Sequence, residues 1–329
     1  MLVLNRQALI EALTHAECVE LMDGAMRAVS RREVEMPLRQ FMAVPGTKGK
    51  LGMMPGYIGQ TDQQEACFGI KVVSKFPREP GSPLSSHVGA VLLFETKDGM
   101  PVALMDGREL TAIRTAATTA MATRTLARKD AASLTFMGCG EEARHHIQAI
   151  LPVRPITKII VWGRNAERAQ KFCDEQTLPN GVSIVVEPDA EKAASEAEIL
   201  CTVTSSTQPI LKGAWLRPGV HVNLVGAAVR TSAEADIDVV SRSKFYVDYL
   251  PSALEQAGEL VNAIAAEVVT RDHVIGEIGA VLNGDAPGRM TDDEITVYKS
   301  LGVAAQDLAV GLAAAKNADE SNIGLALEW

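Results

Sequence analysis

The sequence predicts an α/β protein: a doubly wound parallel sheet in the middle of the chain, preceded by an α+β region. Three observations carry this. Between residues 130 and 250, strand-length apolar runs alternate with helix-length runs, the rhythm of a parallel sheet with crossover helices. The first of these strands ends in a glycine-rich turn that opens a helix. The region before residue 113 instead joins β-rich runs through a tight turn, which indicates antiparallel strands.

The opening "MLVLNRQALIEALT" reads as a short strand followed by a helix starting near Asn5. Helical periodicity continues to about residue 34, with a break expected near Asp23 and Gly24. "CFGIKVVSKF" and "GAVLLFET" are strands, and "KDGMP" is the turn of a hairpin that returns through "VALMDG". Residues 113–129, rich in Ala and Thr, form a long, closely packed helix. Then come the strands "ASLTFMG", "TKIIVWG", "VSIVVE", "EILCTVT" and "VHVNLVG", the first four each followed by a helix or loop, with "SKFYVDY" as the last strand. Residues 251–329 read as helical.

A chain of 329 residues, 47% of them hydrophobic, is long enough for two cores. No window approaches the ~18 apolar residues of a membrane span, and the N-terminus has no basic region ahead of an apolar run, so a cytoplasmic protein is expected. A net charge of −9 argues against nucleic acid as the partner, since phosphate backbones need a basic face. Five scattered cysteines with no CxxC predict reduced thiols. His145 and His146 point about 100° apart on a helix, a poor chelate, and no metal site is expected.

"LTFMGCGEEARHH" places Gly138-Cys139-Gly140-Glu141-Glu142-Ala143 between a strand and a helix. Gly138 suits the tight turn, Gly140 the approach of a pyrophosphate, and Ala143 the close packing of helix on strand; the free N–H groups of the helix start complete an anion site. An ordinary tight βα turn shares the pattern, but here it opens a βαβ series, the context of a Rossmann-type dinucleotide-binding domain. The second strand ends at Trp162-Gly163-Arg164-Asn165, with no acid to take a ribose 2′-hydroxyl before Glu167. Arg164 therefore leans towards NADP, with NAD still usable if Arg164 faces solvent or adenine.

Three cations stand out: Arg39 in "EMPLRQF", Lys71 inside the apolar strand "FGIKVVSKF", and Arg114 in "DGRELTAIRTAAT". Together they suit the grip of a carboxylate, Arg as a bidentate fork and Lys as a point charge with a tunable pKa. Solvent exposure or structural ion pairing would explain each of them as well.

"FGIKVVS", residues 85–117, "GCGEEA", "EILCTVTSSTQPIL" and "VYKSLGVAAQDLA" together resemble the ornithine cyclodeaminase/μ-crystallin family, along nearly the whole chain. The resemblance implies a Rossmann-type domain, residues 116–294, inserted into a substrate-binding and dimerisation domain, residues 1–115 and 295–329, and hence a homodimer. It implies that Arg39, Lys71 and Arg114 hold a substrate carboxylate, with Lys71 a candidate proton donor. Its cofactor contacts fall on Ser86, Arg114, Thr115, Gly138, Gly140, Glu141, Glu142, Arg164, Asn165, Thr202, Val225, Gly226 and Ser300. Glu142 departs from the family's usual Gln. His87, whose ordinary pKa suits proton transfer near neutrality, is a second donor candidate, although a histidine at a strand start is as readily structural. Lys75 and Arg78 could take a second substrate carboxylate, although "KFPREPG" also reads as a polar loop.

In the family's cyclodeaminases the strand ending "VNLVGA" delivers an Asp that handles the substrate amine. Here that position is Ala228, which can neither act as a base nor bind ammonium. The resemblance then implies reduction of a preformed C=N bond: an NAD(P)H-dependent reductase of a small 2-imino acid, cyclic such as pyrroline-2-carboxylate or acyclic such as iminosuccinate. Two alternatives stay open. One is an ornithine cyclodeaminase or alanine-dehydrogenase-like enzyme in which Glu234 or Asp236 replaces the missing acid. The other is a non-catalytic small-ligand binder.

Overall fold

The computed structural model describes residues 1–77 and 87–328. In chain order the first elements are β1 (Leu2–Leu4), α1 (Arg6–Ala12), α2 (His15–Ser30), β2 (Val34–Glu35), β3 (Gln40–Ala43), β4 (Lys50–Ile58), β5 (Cys67–Lys75), β6 (His87–Glu95), β7 (Pro101–Asp106) and α3 (Gly107–Leu126). Next come β8 (Ser133–Met137), α4 (Glu141–Ile150), β9 (Lys158–Trp162), α5 (Ala166–Asp174), β10 (Ser183–Val186), α6 (Ala190–Ser195), β11 (Ile199–Thr202) and β12 (His221–Leu224). The remainder are α7 (Ile237–Ser241), β13 (Lys244–Val247), α8 (Leu250–Gln256), α9 (Gly258–Ala265), β14 (Val274–Glu277), α10 (Ile278–Asn283), β15 (Thr296–Lys299), α11 (Ala304–Glu320) and β16 (Leu325–Ala326). The chain divides into two units, residues 1–114 with 303–329 and residues 115–302.

The first unit holds a sheet of order β16-β1-β7-β6-β5-β4-β2, with β3 also on β4. Its neighbours are antiparallel except for the parallel pair β1–β7. Asn5 caps α1 by accepting from the Ala8 N–H, and Thr14 caps α2 by accepting from Glu17. The helix break expected at Asp23 and Gly24 falls instead at Leu13 and Thr14, and α2 runs through Gly24. A Cβ on Gly24 would lie 2.1 Å from the Gln63 Oε1, so this glycine serves close packing, not a turn. The β6–β7 turn forms as expected, its N–H groups at Lys97, Asp98 and Met100 all donating to the Glu95 carboxylate. Two strand glycines let α11 lie close to the sheet. A Cβ on Gly56 would be 2.7 Å from the Ala304 Cβ, and one on Gly69 3.0 Å from Leu308 Cδ2. That approach sets Asp307 of α11 against Lys71 of β5.

The second unit is an eight-stranded, wholly parallel sheet of order β10-β9-β8-β11-β12-β15-β13-β14. The strand order reverses between β8 and β11, and in such sheets ligands bind at the carboxyl ends beside this point. Two strands here were expected as helix. β13 is not the last strand, because β14 follows it and β15 inserts between β12 and β13. β15 is four residues long and buried throughout, so it has no alternating pattern to separate it from the apolar helix that follows. Thr115 and residues 295–302, expected with the chain ends, therefore lie in the parallel unit. The long helix α3 begins at Gly107 rather than 113 and ends at Leu126. Its carbonyls at Thr123, Arg124 and Ala127 accept from the Arg154 guanidinium, which closes the helix end.

Candidate active site

The second unit presents the glycine turn. Gly138 has φ +125°, and a Cβ there would sit 2.8 Å from the Val203 carbonyl, so only glycine fits. Its N–H donates to the Trp162 carbonyl at 2.9 Å. Gly140 is the N-cap of α4, with no side-chain cap bond and no atom within 4 Å of where its Cβ would be. Behind it Ala143 is fully buried, where helix meets strand. The result is an open cradle of helix N–H groups that fits a diphosphate. At the end of β9, Arg164 is exposed, and the Asn165 side chain caps α5 by accepting from Arg168 N–H at 2.7 Å.

The edge at Val225–Val229 is held from within. Glu234 is fully buried and accepts from the Thr202 hydroxyl, the Thr204 N–H and hydroxyl, and the N–H groups of Gly226 and Ala227, at 2.6–3.2 Å. Burial raises its pKa, opposed by Lys299 and by the Thr204 and Thr202 donors. Lys299, also fully buried, donates to the Ala227 carbonyl at 2.6 Å and pairs with Glu259 at 2.9 Å. The Glu259 carboxylate in turn accepts the Glu234 N–H. Asp236 caps α7 and accepts from the Gly213 N–H. Neither Glu234 nor Asp236 can stand in for the acid missing at Ala228: one is enclosed and saturated with donors, the other is a helix cap. The Thr202 hydroxyl is committed to Glu234, Val225 and Ser300 are buried, and Gly226 is exposed. Thr115, at the start of the unit, is also buried.

The first unit presents the cations. The Lys71 Nζ donates to both Asp307 oxygens, at 2.9 and 3.1 Å. The Arg114 Nε donates to the Asp307 Oδ1 at 3.0 Å, and its Nη1 to the Gln306 Oε1 at 2.9 Å. All four residues are buried. Burial lowers the Lys71 pKa to about 7, helped by the positive charges of Arg114 and Arg39 and resisted by Asp307. Burial alone would raise Asp307, but Arg114 and Lys71 outweigh it and hold the carboxylate below its ordinary value. Arg39, partly buried ahead of β3, acts electrostatically on both Lys71 and Lys75. The three cations singled out in the sequence therefore do gather. Ser86 and Arg78 lie outside the described residues, as does the side chain of His87. Among the described residues no three His, Cys, Asp or Glu side chains converge as metal ligands, and all five cysteines are free.

Asp307 escaped the sequence reading. Its signal was present, a lone acid in the run "VAAQDLAVGL", where an ionised side chain on an apolar helix face needs a buried partner. Lys299 and Glu259 carried no comparable signal.

Residues 1–322 match the family model described as the ornithine cyclodeaminase/mu-crystallin family. The Δ1-pyrroline-2-carboxylate reductase of Thermococcus litoralis, solved with NADH and L-proline, is 32% identical, with a TM-score of 0.93 over 99% of this chain and 100% of that one. An archaeal alanine dehydrogenase dimer with bound NAD is 29% identical, with a TM-score of 0.91 over 100% and 99%. The iminosuccinate reductase of Paracoccus denitrificans, solved with NAD+, is 27% identical, with a TM-score of 0.89 over 100% and 99%. The family match spans nearly the whole chain, and the chain belongs to the ornithine cyclodeaminase/mu-crystallin family.

Proposed function

We propose that the protein is an NAD(P)H-dependent reductase that converts a small 2-imino acid to the amino acid. One observation carries this: the cation cluster is intact, while Glu234 and Asp236, the acids that follow Ala228 in the sequence, are committed elsewhere. Glu234 supports the Val225–Val229 edge, and Asp236 caps a helix. Imine reduction needs a carboxylate clamp and a proton donor, but no base for a free amine.

The Gly138–Glu142 turn and the α4 start would hold the cofactor diphosphate, with Arg164 and Asn165 at the ribose end and Thr115, Thr202, Val225, Gly226 and Ser300 lining the rest. The exposed Arg164, with no acid at the β9 end, favours NADP over NAD without excluding NAD. When bound, the cofactor supplies a hydride to the imine carbon. Arg39, Lys71 and Arg114 fix the substrate carboxylate, which turns the reaction into a positioned encounter. Lys71 donates the proton that the imine nitrogen gains, and a pKa of about 7 suits that transfer near neutrality. C=N becomes CH–NH as NAD(P)H becomes NAD(P)+.

The chain also forms a homodimer in this reading. On one face of the first sheet Tyr57, Phe68 and Phe94 stand in register across β4, β5 and β6, with Phe68 stacked on Phe94 at 5.2 Å. Phe68 and Tyr57 are each 37% exposed there, and a contiguous apolar sheet face is a surface for a second copy. Among the described residues no helix is long and apolar enough to cross a membrane. Five free cysteines suit the reducing cytoplasm, where we place the protein.

The test follows absorbance at 340 nm, with NADH or NADPH and either pyrroline-2-carboxylate or 2-oxo acids mixed with ammonia or methylamine. Amine-dependent oxidation of the cofactor is expected. Formation of proline and ammonia from ornithine, with no imine reduced, would overturn the assignment; binding without any turnover would revive the non-catalytic reading.

A further inference from the structure

The compensation of charge in the first unit is uneven. At the inner end of β5, Lys71 and Arg114 share Asp307. At the outer end, Lys75 stands directly across from Lys50 in the β4–β5 register. Like charges facing each other across a strand pair destabilise it. Yet among the described residues no acid lies within ion-pair distance of either lysine. Lys75 is half-buried, with its Nζ over the Phe41 ring at 5.8 Å. Burial, then Arg39 and Lys50, lower its pKa, a shift that a bound anion would oppose. Arg39 acts on Lys71 as well as on Lys75 and so links the two ends. Lys71 and Lys75 are four residues apart and share a strand face, with Cα atoms ~13 Å apart. Their long stems can bring two ammonium groups to the two ends of a short diacid.

Resting on the imine-reductase reading, we propose that Lys75, with Lys50, forms a second anion subsite and that the substrate is a short dicarboxylic 2-imino acid. The C1 carboxylate and imine sit at Arg39, Lys71 and Arg114, and the distal carboxylate at Lys75. The reaction is unchanged: hydride from NAD(P)H to the imine carbon, a proton to nitrogen, and both carboxylates intact. An aminating condensation of a 2-oxo dicarboxylic acid, or oxidation of an amino dicarboxylic acid, must supply such a substrate.

The experiment compares kcat/KM for oxaloacetate and for pyruvate, each with the same ammonium concentration, in the full-length protein with its preferred cofactor. Oxaloacetate should be favoured by about tenfold or more, the worth of one charge-assisted contact. Lys75→Met should cut the oxaloacetate-to-pyruvate ratio by about tenfold, and Lys75→Arg should keep most of it. Succinate should inhibit the wild-type protein at least about tenfold more tightly than propionate, a readout that requires no variant to fold. Equal or better use of pyruvate, an unchanged ratio in a folded Lys75→Met variant, or equal inhibition by the two acids would overturn the subsite. If pyrroline-2-carboxylate or the pyruvate imine is reduced and the oxaloacetate imine is not, this inference alone falls. If no imine is reduced, the reductase reading fails and takes the subsite with it.

Discussion

Replacing Asp307 by Asn separates the proton-donor reading from a merely structural one. The substitution keeps the shape and removes the negative charge that Asp307 holds against Lys71 and Arg114 at 2.9–3.1 Å. An opposite charge this close holds a pKa by about 1–3 units, so its loss should carry Lys71 down from about 7 by that amount. Lys71 must be protonated to serve the imine nitrogen, so activity falls as pH rises through its pKa. In the variant this basic limb moves to lower pH, and at pH 7.5 the rate falls roughly ten- to a thousandfold. Breaking a buried ion pair also costs about 3–5 kcal/mol of stability, part of it recovered because Lys71 can release its proton. The assay is log kcat/KM against pH from 5 to 9, with thermal unfolding of the same samples in parallel. A limb that stays in place while amplitude and stability fall would show that Asp307 only braces α11 on the sheet. It would remove Lys71 as the titrating donor.

Three other perturbations test the remaining structure. A Cβ on Gly226 would lie 2.1 Å from the Thr204 carbonyl, so Gly226→Ala should displace the Val225–Val229 edge, cost about 1–3 kcal/mol and weaken NAD(P)H binding about tenfold or more, read by cofactor fluorescence titration. His221 is buried between Thr296 and Asn223, and burial, then Arg289, lowers its pKa to about 3. It stays neutral in the fold while the unfolded chain takes up the proton, so stability is lost as pH falls from about 6.5 towards 3, at about 1.4 kcal/mol per unit. Urea unfolding at pH 4 and 7 should show that loss, and His221→Gln should reduce the difference. Phe68→Lys places a charge on the apolar sheet face and should shift light-scattering mass from dimer to monomer; an unchanged mass would move the dimer interface elsewhere.

Much of this protein was legible from local sequence. The β8–Gly138–α4 turn is read within one dozen residues, because a positive φ and a close carbonyl admit only glycine. The β6–β7 hairpin and the caps at Asn5 and Thr14 are equally local. Lys71 could be picked out because an ammonium among Ile70, Val72 and Val73 is out of place on a surface. The absent acid at Ala228 was visible too, but only once a family resemblance said where to look. What the sequence left open rests on contacts between distant segments. Asp307 meets Lys71 across 236 positions, and Arg114 across 193. β15 joins β12 and β13 only because the fold offers its four buried residues a slot between them. Glu234 looked like a replacement acid because it is the first carboxylate after the strand. Tertiary structure makes it a support, enclosing it with donors from β11, the Val225–Val229 edge and the segment between. Helix starts and tight turns are set by neighbours within a few residues, so their residue types announce them. The charge state and reach of a buried side chain are set by whatever the fold packs against it, and that is decided only when the chain has closed.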